Sequence, residues 1–197
     1  MLTYTPAAAE RAAALRAHRE ARAQYARALR FADELPEEQR GALLEAYSYE
    51  CYLTDHLDEA IVVCQEALNV WRRLGDRLKE GDTQRRLSRL FNFAGRNAEA
   101  EKAAWAALDI LEELPPGPEL AMAYSNVSLL HMLAWNSRGA NSWGEKAIAL
   151  AERFGETEAL VHALLNVGAA GLIDDIDDER ARDKCERSLR LELAPGA

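Results

Sequence analysis

The sequence predicts an all-α protein, a right-handed solenoid of antiparallel helical hairpins, from two observations. One apolar pattern recurs at spacings of 39, 40, 40 and 41 residues, with copies beginning at Ala21, Ala60, Ala100, Ala140 and Ala181. Repeats with periods of about 20 to 50 residues are typical of solenoids. Runs of β-branched residues alternating with polar ones are missing, which argues against a sheet. We therefore expect a single repeat domain over residues 1–197.

Each copy of the pattern fits one face of a helix. Counted from its first alanine, the third copy has small or apolar residues at Ala104, Ala107, Leu108, Leu111 and Leu114. These offsets fall on one side of a helix with 3.6 residues per turn. We interpret each copy as the second helix of a hairpin.

The elements follow from helix start and stop signals. A leading helix is expected over residues 6–34, because Pro6 suits a first helical turn and Leu35-Pro36 ends the pattern. Gly75 and the break at residues 115–118 separate later helices. The four hairpins are expected at about residues 37–75, 77–115, 118–155 and 157–193.

The first helix of each hairpin carries its own repeat. A small residue recurs every forty positions, at Ser48, Ser88, Ser128 and Gly168. A small residue at a fixed point of each hairpin lets two helices approach closely.

Charge and composition limit the partners. The formal net charge of −9 disfavours nucleic acid and anionic membranes as partners of the whole surface, so we expect no direct nucleic-acid binding and no membrane association. Residues 1–30 hold six arginines and two glutamates, a net +4 that leaves −13 for the remainder. The arginines are either a solvated face or a docking edge.

The segment MLTYTPAAAERAAALRAH lacks the apolar core of a signal peptide, and no stretch reaches the ~18 apolar residues of a membrane span. Three cysteines, Cys51, Cys64 and Cys185, lack CxxC spacing and fit helix faces. We therefore expect a cytoplasmic protein with reduced, packed thiols.

The sequence contains no motif for catalysis or metal binding, and we expect neither enzyme activity nor a metal or cofactor. Its four histidines, His18, His56, His131 and His162, fall in different repeats without a ligand partner at metal spacing. The acidic turn at residues 174–179 lacks the central glycine and distant glutamate of an EF-hand. A cluster of perturbed titratable groups in one cleft would reopen the enzyme hypothesis.

The pattern Leu44-x-x-Tyr47-Ser48-x-x-Cys51 and its counterparts, followed by the alanine-anchored helices, resemble the tetratricopeptide repeat (TPR) over about residues 17–193. Two features depart from that family. The aromatic residue after Ala-x-x-x occurs only as Tyr25, and the period near 40 exceeds the common period of about 34. The resemblance implies a TPR-like α-solenoid with longer helices.

The runs RALRFADELPEEQR, SYECYLTDHLDEAI, LGDRLKEGDTQRRLSRL and ELAMAYSNVSLLHMLA are similar to the helical-repeat region of large LuxR-type (MalT-like) bacterial transcriptional regulators. Those proteins carry an ATP-binding module before the repeats and a helix-turn-helix domain after them. This sequence has no GxxxxGK[ST] motif for phosphate binding. The resemblance implies the regulatory, partner-sensing segment of such a regulator, either excised or encoded as a remnant.

The ends of the repeat suggest self-association. The helix around Ala21 is expected to lack a full preceding partner and the last helix to lack a cap, which leaves apolar ends uncovered. Residues 1–30 are basic and the remainder is acidic. We therefore predict a head-to-tail contact, in which the arginine-bearing first helix meets the acidic final turn of another copy.

The concave side of such a solenoid is lined by the first helix of each hairpin. One turn either side of the small positions, this groove is expected to show Glu45, Tyr49, Tyr52, Arg85, Arg89, Asn92, Ser125, Met132 and His162. Tyrosine, arginine and methionine anchor partners well. The same side chains could instead fill contacts between repeats or form solvated pairs.

Two functions fit this surface. The first is a non-enzymatic module that binds a protein or peptide, acting in transcription regulation if the LuxR-like resemblance holds. The second is a sensor that binds a small molecule or signal peptide in the groove. A closed apolar pocket of about 300 Å³ or more would favour a small ligand. The clamp for a terminal carboxylate used by chaperone-binding relatives is not recognisable.

Overall fold

A computed structural model of the chain describes residues 4–31 and 35–194, and every regular element in these two ranges is an α-helix. The helices are α1 (Tyr4–Ala14), α2 (His18–Leu29), α3 (Glu37–Leu53), α4 (Leu57–Leu74), α5 (Arg77–Phe93), α6 (Asn97–Leu111), α7 (Pro118–Leu133), α8 (Ser137–Phe154), α9 (Thr157–Asp174) and α10 (Glu179–Glu192). None of these described helices is both long enough and apolar enough to cross a membrane.

The helices form two compact units, Met1–Ala100 and Glu101–Ala197, with the boundary inside α6. Each unit is described by itself below. A repeat array has no sharp internal boundary, because each repeat contacts only its neighbours. The single repeat domain therefore stays a prediction.

The turns within four helix pairs share one backbone geometry, which recurs between pairs at Gly75 and Gly155. Each of the four contains a residue with positive φ, and these residues are Arg16 (57°), Asp55 (64°), Gly95 (72°) and Trp135 (58°). The next N–H donates to a carbonyl five residues back, as from His56 to Cys51 (2.9 Å) and from Asn136 to His131 (2.9 Å). This is the Schellman end of a helix, which satisfies carbonyls that the helix leaves unpaired.

The predicted leading helix over residues 6–34 is wrong, because the structure has two helices there. Arg16 adopts the left-handed conformation, and the Ala17 N–H donates to the Ala12 carbonyl (2.8 Å), which ends α1. Helices α1 and α2 pack against each other, so the helix around Ala21 does have a preceding partner. Residues 32–34 of the predicted helix lie outside the described residues.

The small residues of the first helices do more than allow close approach. In the first unit Ser48 Oγ donates to the carbonyl of Ala60 (2.8 Å), and in the second unit Ser128 Oγ donates to that of Ala140 (2.7 Å). The serine therefore fastens the two helices of its hairpin. At Gly168 close approach alone applies, because an added Cβ would lie 2.8 Å from the Ala181 carbonyl oxygen.

Buried side chains within each unit form the core. In the first unit the Trp71 indole packs directly on Gly41, where an added Cβ would lie 2.7 Å from the ring. In the second unit one cluster centres on Leu108 and Leu120, and another on Leu164. These positions follow the predicted apolar faces.

Helix α10 is more polar than an uncovered apolar end would be. Its buried residues are Ala181 and Ser188, and most of its exposed residues are charged. Leu189 in this helix and Leu193 directly after it are the exposed large apolar side chains. The apolar surface expected on the last helix is thus limited to these two leucines.

Candidate partner-binding surface

Three aromatic rings form a row on α3 and α5 in the first unit. The ring centroids of Tyr49 and Tyr52 are 6.3 Å apart, and those of Tyr52 and Phe93 are 5.2 Å apart. The Arg89 guanidinium lies over the Phe93 ring, 5.7 Å from its centroid. We call these four residues the aromatic row. The structure thus brings together three predicted groove residues, the two tyrosines and Arg89.

The aromatic row is open to solvent. Tyr49 is 53% exposed and Phe93 is 48% exposed, while Tyr52 and Arg89 are half-buried. Ring pairs at these separations attract each other, and a guanidinium over a ring face adds a cation–π contact. The rings therefore hold one another in place while their outer faces stay accessible.

Glu45, a predicted groove residue, is buried where α3, α4 and α5 meet. Its Oε1 accepts hydrogen bonds from Trp71 Nε1 (2.9 Å) and Thr83 Oγ1 (3.0 Å), and its Oε2 accepts one from Lys79 Nζ (3.0 Å). Glu45 is 8% exposed. The prediction that it lines an open surface is corrected, because its carboxylate joins three helices.

Arg85, another predicted groove residue, is also buried. Its Nε donates to Asp82 Oδ1 (2.7 Å), and Arg86 Nε donates to Asp82 Oδ2 (2.8 Å). Burial raises the pKa of Asp82, but the two guanidinium groups outweigh it and hold that pKa below its ordinary value. One carboxylate thus faces two guanidinium groups on α5, one turn from Arg89.

The remaining predicted residues make none of the ring contacts of the aromatic row. Asn92 is half-buried at the end of α5. In the second unit Ser125 is buried and accepts hydrogen bonds from Asn166 Nδ2 at its carbonyl (3.0 Å) and its Oγ (3.4 Å). Met132 and His162 are half-buried. The prediction that Ser125 lines an open groove is therefore wrong, because α9 covers this residue.

Sequence reasoning missed Phe93, although the repeat contains a signal for it. Large apolar side chains recur every forty residues at the ends of the first helices, and each is 37–48% exposed. They are Leu53, Phe93, Leu133 and Ile173. A search for apolar residues off the buried face would have identified this series.

A cleft of about 720 Å³ lies at the hairpin tips of the first unit. We call it the tip cleft, and it is lined by Arg16, Ala17, His18, Arg19, Glu20, Leu53, Thr54 and Asp55. In its lining, His18 Nδ1 lies 3.0 Å from Oε2 of the buried Glu50, which joins α2 to α3. The arginines of the cleft are exposed, and the cleft is open to solvent.

The hairpin tips of the second unit carry exposed apolar side chains. Trp135 is 77% exposed and Ile176 is 72% exposed, and Leu133 and Ile173 lie beside them in sequence. Ser137 Oγ donates to Asp174 Oδ1 (2.7 Å), which holds the α7–α8 turn next to the end of α9. We call these four apolar residues the tryptophan patch.

A second group of rings lies elsewhere in the second unit. The Trp143 ring is 5.6 Å from both Trp105 and Tyr124, and Lys146 Nζ lies 3.9 Å from its centroid. Burial and a hydrogen bond to Glu112 raise the pKa of Tyr124 to about 12. Lys146 therefore covers the Trp143 ring, while Trp105 stays 39% exposed.

The thiols are packed rather than reactive. Burial raises the pKa of Cys51 to about 11 and that of Cys64 to about 12, so both stay protonated near neutral pH. Cys185 is half-buried, and burial raises its pKa as well. Within residues 4–31 and 35–194, no three His, Cys, Asp or Glu side chains are grouped as metal ligands would be.

The helices pair through serine-to-carbonyl hydrogen bonds, repeat about every forty residues and end in Schellman turns. These features define a TPR-like helical-repeat fold. The chain is similar to BtubC (BKLC) from P. vanneervenii, with 20% identity, a TM-score of 0.74, and coverage of 96% of this chain and 80% of that one. It is similar to a putative kinesin light chain from Podosopora anserina with nearly identical TPR-like repeats, with 13% identity, a TM-score of 0.71, and coverage of 97% and 94%.

A third similar structure is a Rap protein complexed with Competence and Sporulation Factor, with 14% identity, a TM-score of 0.82, and coverage of 96% of this chain and 54% of that one. No protein-family model matches the chain, and no curated protein matches it. Similarity at these identities establishes the fold alone. The predicted all-α, TPR-like fold is confirmed, and the LuxR-type resemblance stays a prediction.

Proposed function

We propose that this chain is a non-enzymatic module that binds a protein or peptide segment on the aromatic row. The observation that carries the proposal is the exposure of a continuous run of rings, with an arginine, on the first helices of two neighbouring hairpins. Tyrosine and arginine are enriched among residues that dominate binding energy, and phenylalanine is enriched at interfaces.

The spacing of the rings suits an extended segment. Centroids in the row are 6.3 and 5.2 Å apart, and alternate side chains of an extended chain are about 6.6 Å apart. Successive side chains on one face of a bound peptide can therefore contact successive rings. The buried network of Glu45, Trp71 and Thr83 between α3, α4 and α5 holds the two helices in register.

The fold itself is compatible with such a role. The similar Rap protein was solved in complex with Competence and Sporulation Factor. That complex supports a binding role for this chain by analogy of fold, and it does not indicate which residues make contact.

The test is selection of peptides from a random displayed library by the full chain. Selected peptides are then synthesised, and their affinities are measured by fluorescence anisotropy for the wild type and for the Y49A/R89A variant. Val62→Ala on α4, where Val62 is 54% exposed, is the matched control. The proposal expects a loss of at least tenfold in affinity for Y49A/R89A and no loss for Val62→Ala. Equal affinities of all three proteins would refute the aromatic row as the site.

The sensor alternative gains no support from the tip cleft. Its volume of about 720 Å³ falls within the range of ligand pockets, but exposed charged side chains line it. Because the cleft is open to solvent, it does not enclose a free small ligand as a closed pocket would. We therefore retain the peptide-binding proposal.

We further propose that the chain acts as the partner-sensing segment of a LuxR-type transcriptional regulator. Four sequence runs support this, together with a repeat period near 40. Translation of the DNA on both sides of the reading frame tests it. An in-frame ATP-binding module upstream and a helix-turn-helix downstream are expected, and close stop codons on both sides would instead indicate a free-standing adaptor.

A further inference from the structure

We infer that two copies of this chain associate head to tail, with Trp135 of one copy inserted into the tip cleft of the other. The inference uses none of the residues of the aromatic row. It therefore stands or falls separately from the proposed function.

The first step concerns the α7–α8 turn. Trp135 has φ of 58°, and the equivalent residues of the neighbouring turns are Asp55 and Gly95. Glycine and aspartate enter this conformation readily, whereas a bulky residue does so rarely. The turn alone therefore does not select tryptophan. Its indole is 77% exposed, so the packing of the unit does not select it either.

The second step concerns the surroundings of that indole. Ile176, at the α9–α10 turn, is 72% exposed, and Leu133 is 48% exposed. Large apolar side chains clustered at one edge indicate an interaction site. Four aspartates flank them, at Asp174, Asp175, Asp177 and Asp178. Arg182 donates to the Ile176 carbonyl, and Arg138 and Arg180 lie nearby in sequence, so the four aspartates and Glu179 outnumber three arginines.

The third step concerns the tip cleft as the receptor. Leu53 and Ala17 give it an apolar wall, and Arg16 and Arg19 stand on its side formed by the α1–α2 turn. A volume of about 720 Å³ is ample for an indole and part of the neighbouring chain. Leu15, which directly precedes Arg16 in the sequence, is 81% exposed.

Charge complementarity selects a second copy as the occupant. The lining itself is balanced, because Glu20 and Asp55 offset the two arginines, but residues 1–30 carry a net +4. Arg16 and Arg19 belong to this basic segment and line the cleft, so the acidic turn beside Trp135 comes next to them when the indole enters. Opposite charges around an apolar contact favour encounter and set orientation. One indole and a small rim make a contact far below the ~1,600 Å² of a stable interface, so the association is weak and sensitive to salt.

The symmetry of the contact provides the decisive experiment. Each copy offers one indole and one cleft, so the contact is heterologous and either closes into a ring or continues into an open chain. Trp135→Gly removes the indole and keeps the fold, because glycine suits the positive φ. Leu53→Glu places a charge in the cleft wall at a partly exposed position. Leu165→Ser, at an exposed leucine of α9, is the matched control.

Sedimentation velocity over a concentration series at low ionic strength is the measurement. The wild type and Leu165→Ser are expected to gain mass with concentration and to lose that gain at high salt. Trp135→Gly alone and Leu53→Glu alone are expected to remain monomers. Their equimolar mixture is expected to form one-to-one dimers that grow no further, because one variant supplies the indole and the other the cleft.

Three results would overturn the inference. The first is a wild type that stays monomeric at low ionic strength and high concentration. The second is self-association of Trp135→Gly or Leu53→Glu to the wild-type extent, which would place the contact elsewhere. The third is a mixture of the two variants that fails to form dimers, which would exclude the pairing of indole with cleft.

Discussion

Removal of the Glu45 carboxylate should destabilise the first unit, and the size of the effect follows from its three donors. In Glu45→Ala, Trp71 Nε1 loses its acceptor in a buried site, which costs about 1–3 kcal/mol. Thr83 Oγ1 can turn fully to the Lys79 carbonyl, 2.7 Å away, so its loss adds little. Lys79 is 42% exposed, so its ion pair contributes at most about 1 kcal/mol. The free energy of unfolding should fall by about 1–4 kcal/mol.

Glu45→Gln separates the hydrogen bond from the charge. Its amide oxygen can still accept from Trp71, and only the attraction to Lys79 is lost, so a decrease of about 1 kcal/mol or less is expected. Glu66→Ala, at an exposed position of α4, is the matched control and should change stability by less than about 0.5 kcal/mol.

Urea unfolding followed by the fluorescence of Trp71 measures these changes, with Trp105, Trp135 and Trp143 replaced by phenylalanine so that the first unit alone is reported. A single transition with an unchanged slope is required for the comparison. If Glu45→Gln were as damaging as Glu45→Ala, charge rather than the indole hydrogen bond would dominate. If Glu45→Ala cost less than about 1 kcal/mol, the structural role given to Glu45 would be wrong.

Three further predictions use other local features. Trp135→Gly should raise the free energy of unfolding by about 1 kcal/mol, because glycine removes the penalty of a positive φ, and a decrease in urea titration would contradict this. Gly168→Ala should lower it by about 1–3 kcal/mol, because the methyl group would lie 2.8 Å from a backbone carbonyl of α10, whereas an unchanged midpoint would show that the helices can separate. A thiol reagent at pH 8 should modify Cys185 first and reach Cys51 and Cys64 only on unfolding, since their pKa values of about 11 and 12 leave almost no thiolate. Mass spectrometry of the modified peptides checks the order, and early labelling of Cys64 would contradict it.

The helices were predictable because the residues that repeat are the ones whose type is constrained by core packing. The alanine at the start of each second helix is buried, and the small residue of the first helices faces a neighbouring helix, as at Ser48, Ser128 and Gly168. Both positions tolerate few residue types, so their period of about forty survives in the sequence. The break at Arg16 was hidden because left-handed turn residues differ in every repeat, and arginine is not a turn signal.

The candidate partner-binding surface was predictable only in part, because burial by other helices cannot be deduced from the repeat. A helical position tells which face a residue occupies but not whether another helix covers that face. Tyr49 and Arg89 remain accessible, whereas Glu45 is covered by α4 and α5 and Arg85 is held by Asp82. Burial of Glu45 depends on three donors from two other helices, and no local pattern contains that information.

The contrast between constrained and unconstrained repeat positions bears on function. At the turn position the backbone is the same in four places, yet the side chains are Arg16, Asp55, Gly95 and Trp135. The fold uses only the backbone there, so the side chain is free to serve a partner. If Trp135 stabilised its own turn, glycine at that position would weaken the fold. If instead the indole binds a second copy, the same substitution should raise the free energy of unfolding of the isolated chain and abolish its self-association. A rise or a fall in the free energy of unfolding therefore separates the two explanations.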